Sequence, residues 1–184
     1  MSKTVNGINV GELQQFVQTV ANDPAQGNVR YNVKTKWEHQ TRSIATVSHY
    51  EIGGKRRARN FEIIADEPPE LLGTDTAPNP QELLLAALNA CMSVGYAAHA
   101  ASMGITIHSL EIESDSQIDL RGFLGLDSSV NPGFDDVSYT VRLRTNATRE
   151  QVEKLHEIAT RTSVNRANFS KAIRMAHKLE ILDA

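Results

Sequence analysis

Cys91 is the only cysteine among 184 residues, and it sits inside the apolar run NPQELLLAALNACMSVGYAAHAASMGI, residues 79–105. The reactive form of a thiol is the thiolate, and an unassisted thiol, with a pKa of about 8.5 that apolar burial raises, needs a cation brought in by the fold. Cys91 falls about three turns into the helix that this run predicts. The field at a helix N-terminus fades within its first turn, so this helix alone does not activate the sulfur. Two readings stand side by side. Either the fold delivers a cation and Cys91 is a nucleophile, or Cys91 is a small buried hydrophobe that fills space. The six histidines show no metal-ligand spacing such as His-x-x-x-His. Cys91 and His99 are eight residues apart and project about 80° from each other round a helix, a poor match for two ligands of one ion. No metal and no cofactor are expected.

The elements that must position the thiol can be read along the chain. Val10, Leu13, Phe16, Val17 and Val20 recur at helical spacing and predict a short amphipathic helix over 10–22. It forms an N-terminal extension, residues 1–27, on a domain that runs over 28–184. NVRYNVKTKW alternates strictly, so it reads as one strand with one wet face. EHQT is its turn, RSIATVSHYEI the return strand, GGKRRARN a basic turn, and FEIIADE a third strand. The proline-rich ADEPPELLGTDTAPNP is an irregular connection. Asn79 then offers an N-cap, Pro80 fits the first helical position, and Gly104 is a natural stop for the central helix.

Beyond that helix, ITIHSLEIESDSQI reads as a strand and RGFLGLDSSVNPGFDD as a loop. VSYTVRLRT is a further strand, and Thr148 with Gln151 forms a capping box for the helix REQVEKLHEIATRT. SVNRANFS interrupts or restarts that helix. Ile173, Met175, His177, Leu179 and Ile181 predict a closing period-two strand. Strands that come in hairpin-like runs around a long helix predict an α+β fold with mainly antiparallel sheet.

The central helix is hydrophobic nearly all round and must be covered on most sides. Gly95, Ala97, Ala98, Ala100, Ala101 and Ser102 would let another backbone come close. A single chain supplies one other substantial helix, so a homodimer with this helix near its interface is expected. The run from Leu83 to Ile105 has the length of a membrane span, but Asn89, Ser93, His99 and Ser102 would be costly in lipid, and no membrane is expected. A formal net charge of −3 lacks the basic footprint of a nucleic-acid binder. One cysteine makes no internal disulfide, and MSKTVNGINVGELQQFVQTV does not read as a signal peptide, so a cytoplasmic location is expected.

NPQELLLAALNACMSVGYA resembles the central-helix signature of the OsmC/Ohr family, the osmotically induced and organic hydroperoxide resistance proteins. GITIHSLEIE, DLRGF, NPGF and REQVEKLHEIATRTSV follow in the family's order, and the likeness covers roughly 28–184. The resemblance implies an intertwined homodimer whose long central helices lie between antiparallel sheets, with active sites at the interface. It implies a stress-response peroxidase: a peroxidatic cysteine, matched by Cys91, reduces organic hydroperoxides. An arginine and a glutamate hold its thiolate, and a second cysteine resolves the sulfenic acid.

Arg42, in the turn between the first two strands, is the best match for that arginine; Arg56, Arg57 and Arg59 read as surface charge. The family's glutamate position holds Gln81 here, and neighbouring Glu82 is rotated about 100° away. The resolving-cysteine position holds Thr162. The implied cycle is therefore a one-cysteine reduction completed by an external thiol reductant. The alternative is a non-catalytic member of the fold whose dimer interface binds a small apolar ligand, with Cys91 in its wall.

Overall fold

A computed structural model describes residues 3–182. A small hairpin, β1 (Thr4–Val5) and β2 (Ile8–Asn9), precedes helix α1 (Val10–Asn22). The hairpin was not legible in the sequence, because two-residue strands are too short to show a period. It ties the start of the chain to the segment that follows the central helix. Asn6 at its tip donates from Nδ2 to the Ile105 carbonyl and accepts from the Ile107 amide, each at 2.9 Å.

An antiparallel sheet follows, made of β3 (Val29–Tyr31), β4 (Lys34–His39), β5 (Arg42–Ile52) and β6 (Lys55–Ala65). The single strand expected over 28–37 is two strands, β3 and β4, which pair in turn along the same edge of β5. The basic turn expected over 53–60 is also corrected. The turn is only Gly53–Gly54, and Lys55 to Asn60 already belong to β6. Both glycines have positive φ, 54° and 73°. That is the geometry of a two-residue hairpin turn whose twist matches its strands, and it needs no further residues.

The central helix α2 spans Pro80–Met103 and ends at Gly104. Its entry is a full capping box: Asn79 Oδ1 accepts from the Glu82 amide and Glu82 Oε2 from the Asn79 amide, both at 2.8 Å. β7 (Ile107–Asp115) pairs antiparallel with β8 (Ser138–Thr145), and the loop between them holds a single helical turn, α3 (Leu120–Phe123). Helix α4 (Arg149–Thr162) carries the expected Thr148–Gln151 box, and α5 (Val164–Ser170) is the restarted helix.

The core lies where α2 meets α4 and the β7–β8 pair. Leu88, Met92, Tyr96 and Ala100, one turn apart on α2, are buried with Ile105, Leu155 and Ala159. Gly95 allows the α4 backbone to approach, since a Cβ there would lie 3.5 Å from the Ala159 carbonyl oxygen. On α2 burial is limited to that stripe and Ala101. Val94 on another face of α2 is 69 % exposed. The β3–β6 sheet is open on both faces, with Trp37 71 % and Phe61 58 % exposed and consecutive Ile63 and Ile64 both exposed. Neighbouring strand residues point to opposite faces, so neither face is covered.

The closing strand expected over 173–181 is not formed. Residues 172–182 have no regular structure and are exposed throughout. Their alternation is that of a strand, but a strand needs a sheet edge to satisfy its backbone, and the chain does not bring one to this segment.

Candidate active site

Cys91 is half-buried on α2 and faces the junction of α4 and α5. Its sulfur accepts two hydrogen bonds, from the Asn165 amide at 3.4 Å and from the Ser163 hydroxyl at 3.5 Å. The break between the helices creates both donors. Ser163 leaves the helical conformation at φ −68°, ψ 119°, and caps α5 by accepting from the Arg166 amide. Asn165 Nδ2 donates to the Ala87 carbonyl at 2.8 Å, tying the start of α5 to α2 one turn before the thiol. One turn beyond Cys91, the Gly95–Ala159 approach sets the spacing of the helices and hence the reach from Ser163 to the sulfur.

The other expected site residues fall elsewhere. Thr162 donates to the Ile158 carbonyl at 2.8 Å and pairs with His99 Nε2 at 2.9 Å. The hydroxyl against the sulfur is that of Ser163, one residue further on. Gln81 is half-buried in the first turn of α2, and Glu82 is engaged in the cap. Ser163 and Asn165 were missed as sulfur ligands; the only signal was the helix-breaking SVN itself.

Arg42 opens β5. Its Nε donates to Glu38 Oε2 at 2.7 Å and its Nη1 to Thr76 Oγ1 at 2.8 Å. Among the described residues, no hydrogen bond joins Arg42 to Cys91. Within one chain the thiol and the expected cation form two separate clusters.

The Arg42 cluster contains an ionised, fully buried carboxylate, Asp66. The Thr74 hydroxyl donates to it at 2.6 Å, and the Glu67 and Thr76 amides and Thr76 hydroxyl add to this. These bonds outweigh the cost of burial and hold the Asp66 carboxyl well below the usual aspartate range. Because the folded value is depressed, Asp66 contributes stability at neutral pH. That contribution is complete above the ordinary value of 3.8 and is lost as pH falls toward the folded value. Urea unfolding from pH 5 to pH 2 is expected to show a shallower acid-side loss in Asp66→Asn than in the parent. An unchanged slope would remove the assignment.

Two neighbouring groups move the other way. Burial, reinforced by the charges of Asp66 and Glu82, raises Glu67, whose Oε2 is buried with no hydrogen-bond partner among the described residues. Burial pushes Tyr96 up to about 12, so its hydroxyl stays neutral and paired with His156 Nδ1.

A mixed α+β chain with one long apolar helix, antiparallel hairpin sheets and a lone thiol on that helix defines a recognisable class. The family model of OsmC-like protein matches residues 73–178, more than half of the chain. The chain belongs to the OsmC-like protein family. The solved OsmC-like protein of Mycoplasma pneumoniae is similar at TM-score 0.61 and 13 % identity, over 77 % of this chain and 87 % of that one. An OsmC-like protein of Vibrio cholerae O1 biovar eltor is similar at TM-score 0.56 and 14 % identity, over 76 % and 92 %. At these identities the likeness is one of fold. No curated protein matches the chain.

Proposed function

We propose that this protein is a one-cysteine thiol peroxidase acting on organic hydroperoxides, and that it works as a homodimer. The observation that supports it most directly is the half-buried Cys91 sulfur, which accepts bonds from the Asn165 amide and the Ser163 hydroxyl. Both donors fix the sulfur at the junction of α4 and α5. In the reaction, the Cys91 thiolate attacks the terminal oxygen of ROOH. The S–O bond forms with a sulfur electron pair, the O–O bond breaks, and the alkoxide leaves as ROH after taking a proton. Cys91 becomes a sulfenic acid. No other cysteine is present to resolve it. Two equivalents of an external thiol return it to the thiol, releasing water and a disulfide.

The dimer supplies what the single chain lacks. The open β3–β6 sheet and the uncovered face of α2 carry exposed Trp37, Phe61, Ile63, Ile64 and Val94. We propose that a second copy packs on this apolar surface and that its Arg42 serves the Cys91 sulfur.

The second reading, a non-catalytic binder of a small apolar ligand, is favoured by one observation. A cavity of about 490 Å³ is walled by Leu71, Leu72, Leu120, Phe123 and Leu124 together with Thr41, Glu67 and Glu70; Cys91 is not in its wall. The test is to treat the protein with an alkyl hydroperoxide, trap sulfenic acid with a dimedone-type reagent and map it by mass spectrometry. An adduct on Cys91 at stoichiometric peroxide is expected. No Cys91 oxidation at millimolar peroxide would leave the ligand-binding reading, and a monomer in light scattering at micromolar concentration would remove the dimer.

A further inference from the structure

We infer that Asp66, acting through Thr76, is the positioning residue that sets the direction of the Arg42 guanidinium. The inference rests on the reading of Arg42 as the cation that serves the Cys91 sulfur.

The Asp66 carboxylate accepts six hydrogen bonds. Oδ1 takes the Thr41 hydroxyl at 3.1 Å and the Glu67 amide at 2.9 Å. Oδ2 takes the Thr74 amide and hydroxyl at 3.2 and 2.6 Å, and the Thr76 amide and hydroxyl at 3.3 and 3.0 Å. Among the described residues no cationic nitrogen bonds to it. A buried charge without a counter-ion is costly, so a built set of neutral donors is what allows it to stay ionised.

The consequence for Arg42 follows from donor and acceptor rules. An ionised carboxylate can only accept. The Thr76 hydroxyl therefore turns its hydrogen to Asp66, and its lone pairs remain for Arg42 Nη1, which donates at 2.8 Å. The other carboxylate oxygen grips Thr41, the residue before Arg42 in the chain. One carboxylate thus fixes both the backbone that carries Arg42 and the acceptor that aims it. Glu38 takes Nε at 2.7 Å. A planar guanidinium bonded at two of its nitrogens has a single orientation.

Nη2 is left without a bond among the described residues, as the donor free to meet a thiolate or a peroxide oxygen. The same cluster is tied to the thiol's helix. The Asp66 amide donates to the Pro78 carbonyl at 3.2 Å, immediately before the Asn79 cap of α2.

A cluster that merely folded the 66–76 loop would not control Arg42, and Thr76→Val separates the two roles. Valine keeps the shape and removes the hydroxyl; Thr76→Ser restores it. Two readouts are taken on the full chain: the rate of Cys91 oxidation by cumene hydroperoxide, and the 15N–1H resonance of Arg42 Nε. Thr76→Val is expected to lower the rate by up to about a hundredfold, the scale of a misplaced catalytic group, and to shift the Arg42 resonance. Thr76→Ser is expected to return both toward the parent, and Asp66→Asn to act in the same direction as Thr76→Val. An Arg42 resonance unmoved in Thr76→Val overturns the inference, as does an unchanged rate. If the parent's Cys91 resists cumene hydroperoxide altogether, the peroxidase reading fails separately. The Arg42 resonance then decides the positioning role, a shift supporting it and no shift overturning it.

Discussion

Cys91→Ser is expected to reduce hydroperoxide consumption to the uncatalysed background, a loss on the order of 10⁶-fold or more, where enzymatic accelerations begin. The oxygen nucleophile that replaces sulfur is held as a neutral hydroxyl at neutral pH and does not attack the O–O bond. The variant should fold, because serine is smaller than cysteine and Asn165 and Ser163 offer it the same two donors. The check is loss of peroxide by a colorimetric assay with a dithiol reductant in excess, beside a circular dichroism spectrum. Residual turnover equal to the parent's would place the chemistry on another residue and end the role of Cys91.

The largest effect on stability is expected at Leu155. It is fully buried on α4 against the stripe formed by Leu88, Met92, Tyr96 and Ala100. Leu155→Ala removes buried methyl groups and leaves a cavity between two helices whose spacing is set by the Gly95–Ala159 approach. Helices in such close contact relax little into a void. A cost of about 2–5 kcal/mol is expected, read as a drop in Tm of roughly 5–15 °C. A change below about 0.5 kcal/mol, the range of surface substitutions, would mean that α4 does not pack as described.

Most of the secondary structure was legible because its signals are local. The Asn79 and Thr148 caps, the proline at position 80 and the Gly104 stop fix the helix ends through bonds made within four residues. The α+β class follows from where the alternating runs fall. Legibility ended where structure depends on distant partners. The alternation of 173–181 gives a strand's preference but not the edge it pairs with. The run KRRARN reads as a charged turn because Ala58 is its only apolar residue, yet its pairing with β5 makes it a strand.

The sequence singled out Cys91 as the lone thiol, while Arg42 entered only through the family resemblance and within one chain bonds to Glu38 and Thr76, apart from the sulfur. It did not disclose Ser163 and Asn165, because the bond to sulfur from Asn165 comes from a backbone amide that any residue carries. Asp66 was hidden for the same reason. Its importance lies in six donors converging from three parts of the chain, and no residue type announces convergence.

The β3–β6 sheet, unclad on either side, bears on the life of a newly made chain. Hydrogen bonds alone give such a ribbon little independent stability, and its aromatic and branched side chains are adhesive until something shields them. On the proposed homodimer, maturation is expected to depend on encounter rate: slow in dilution, faster as copies accumulate, with a competing route into aggregates when synthesis outruns assembly. Yield on refolding should then pass through an optimum with concentration rather than fall steadily.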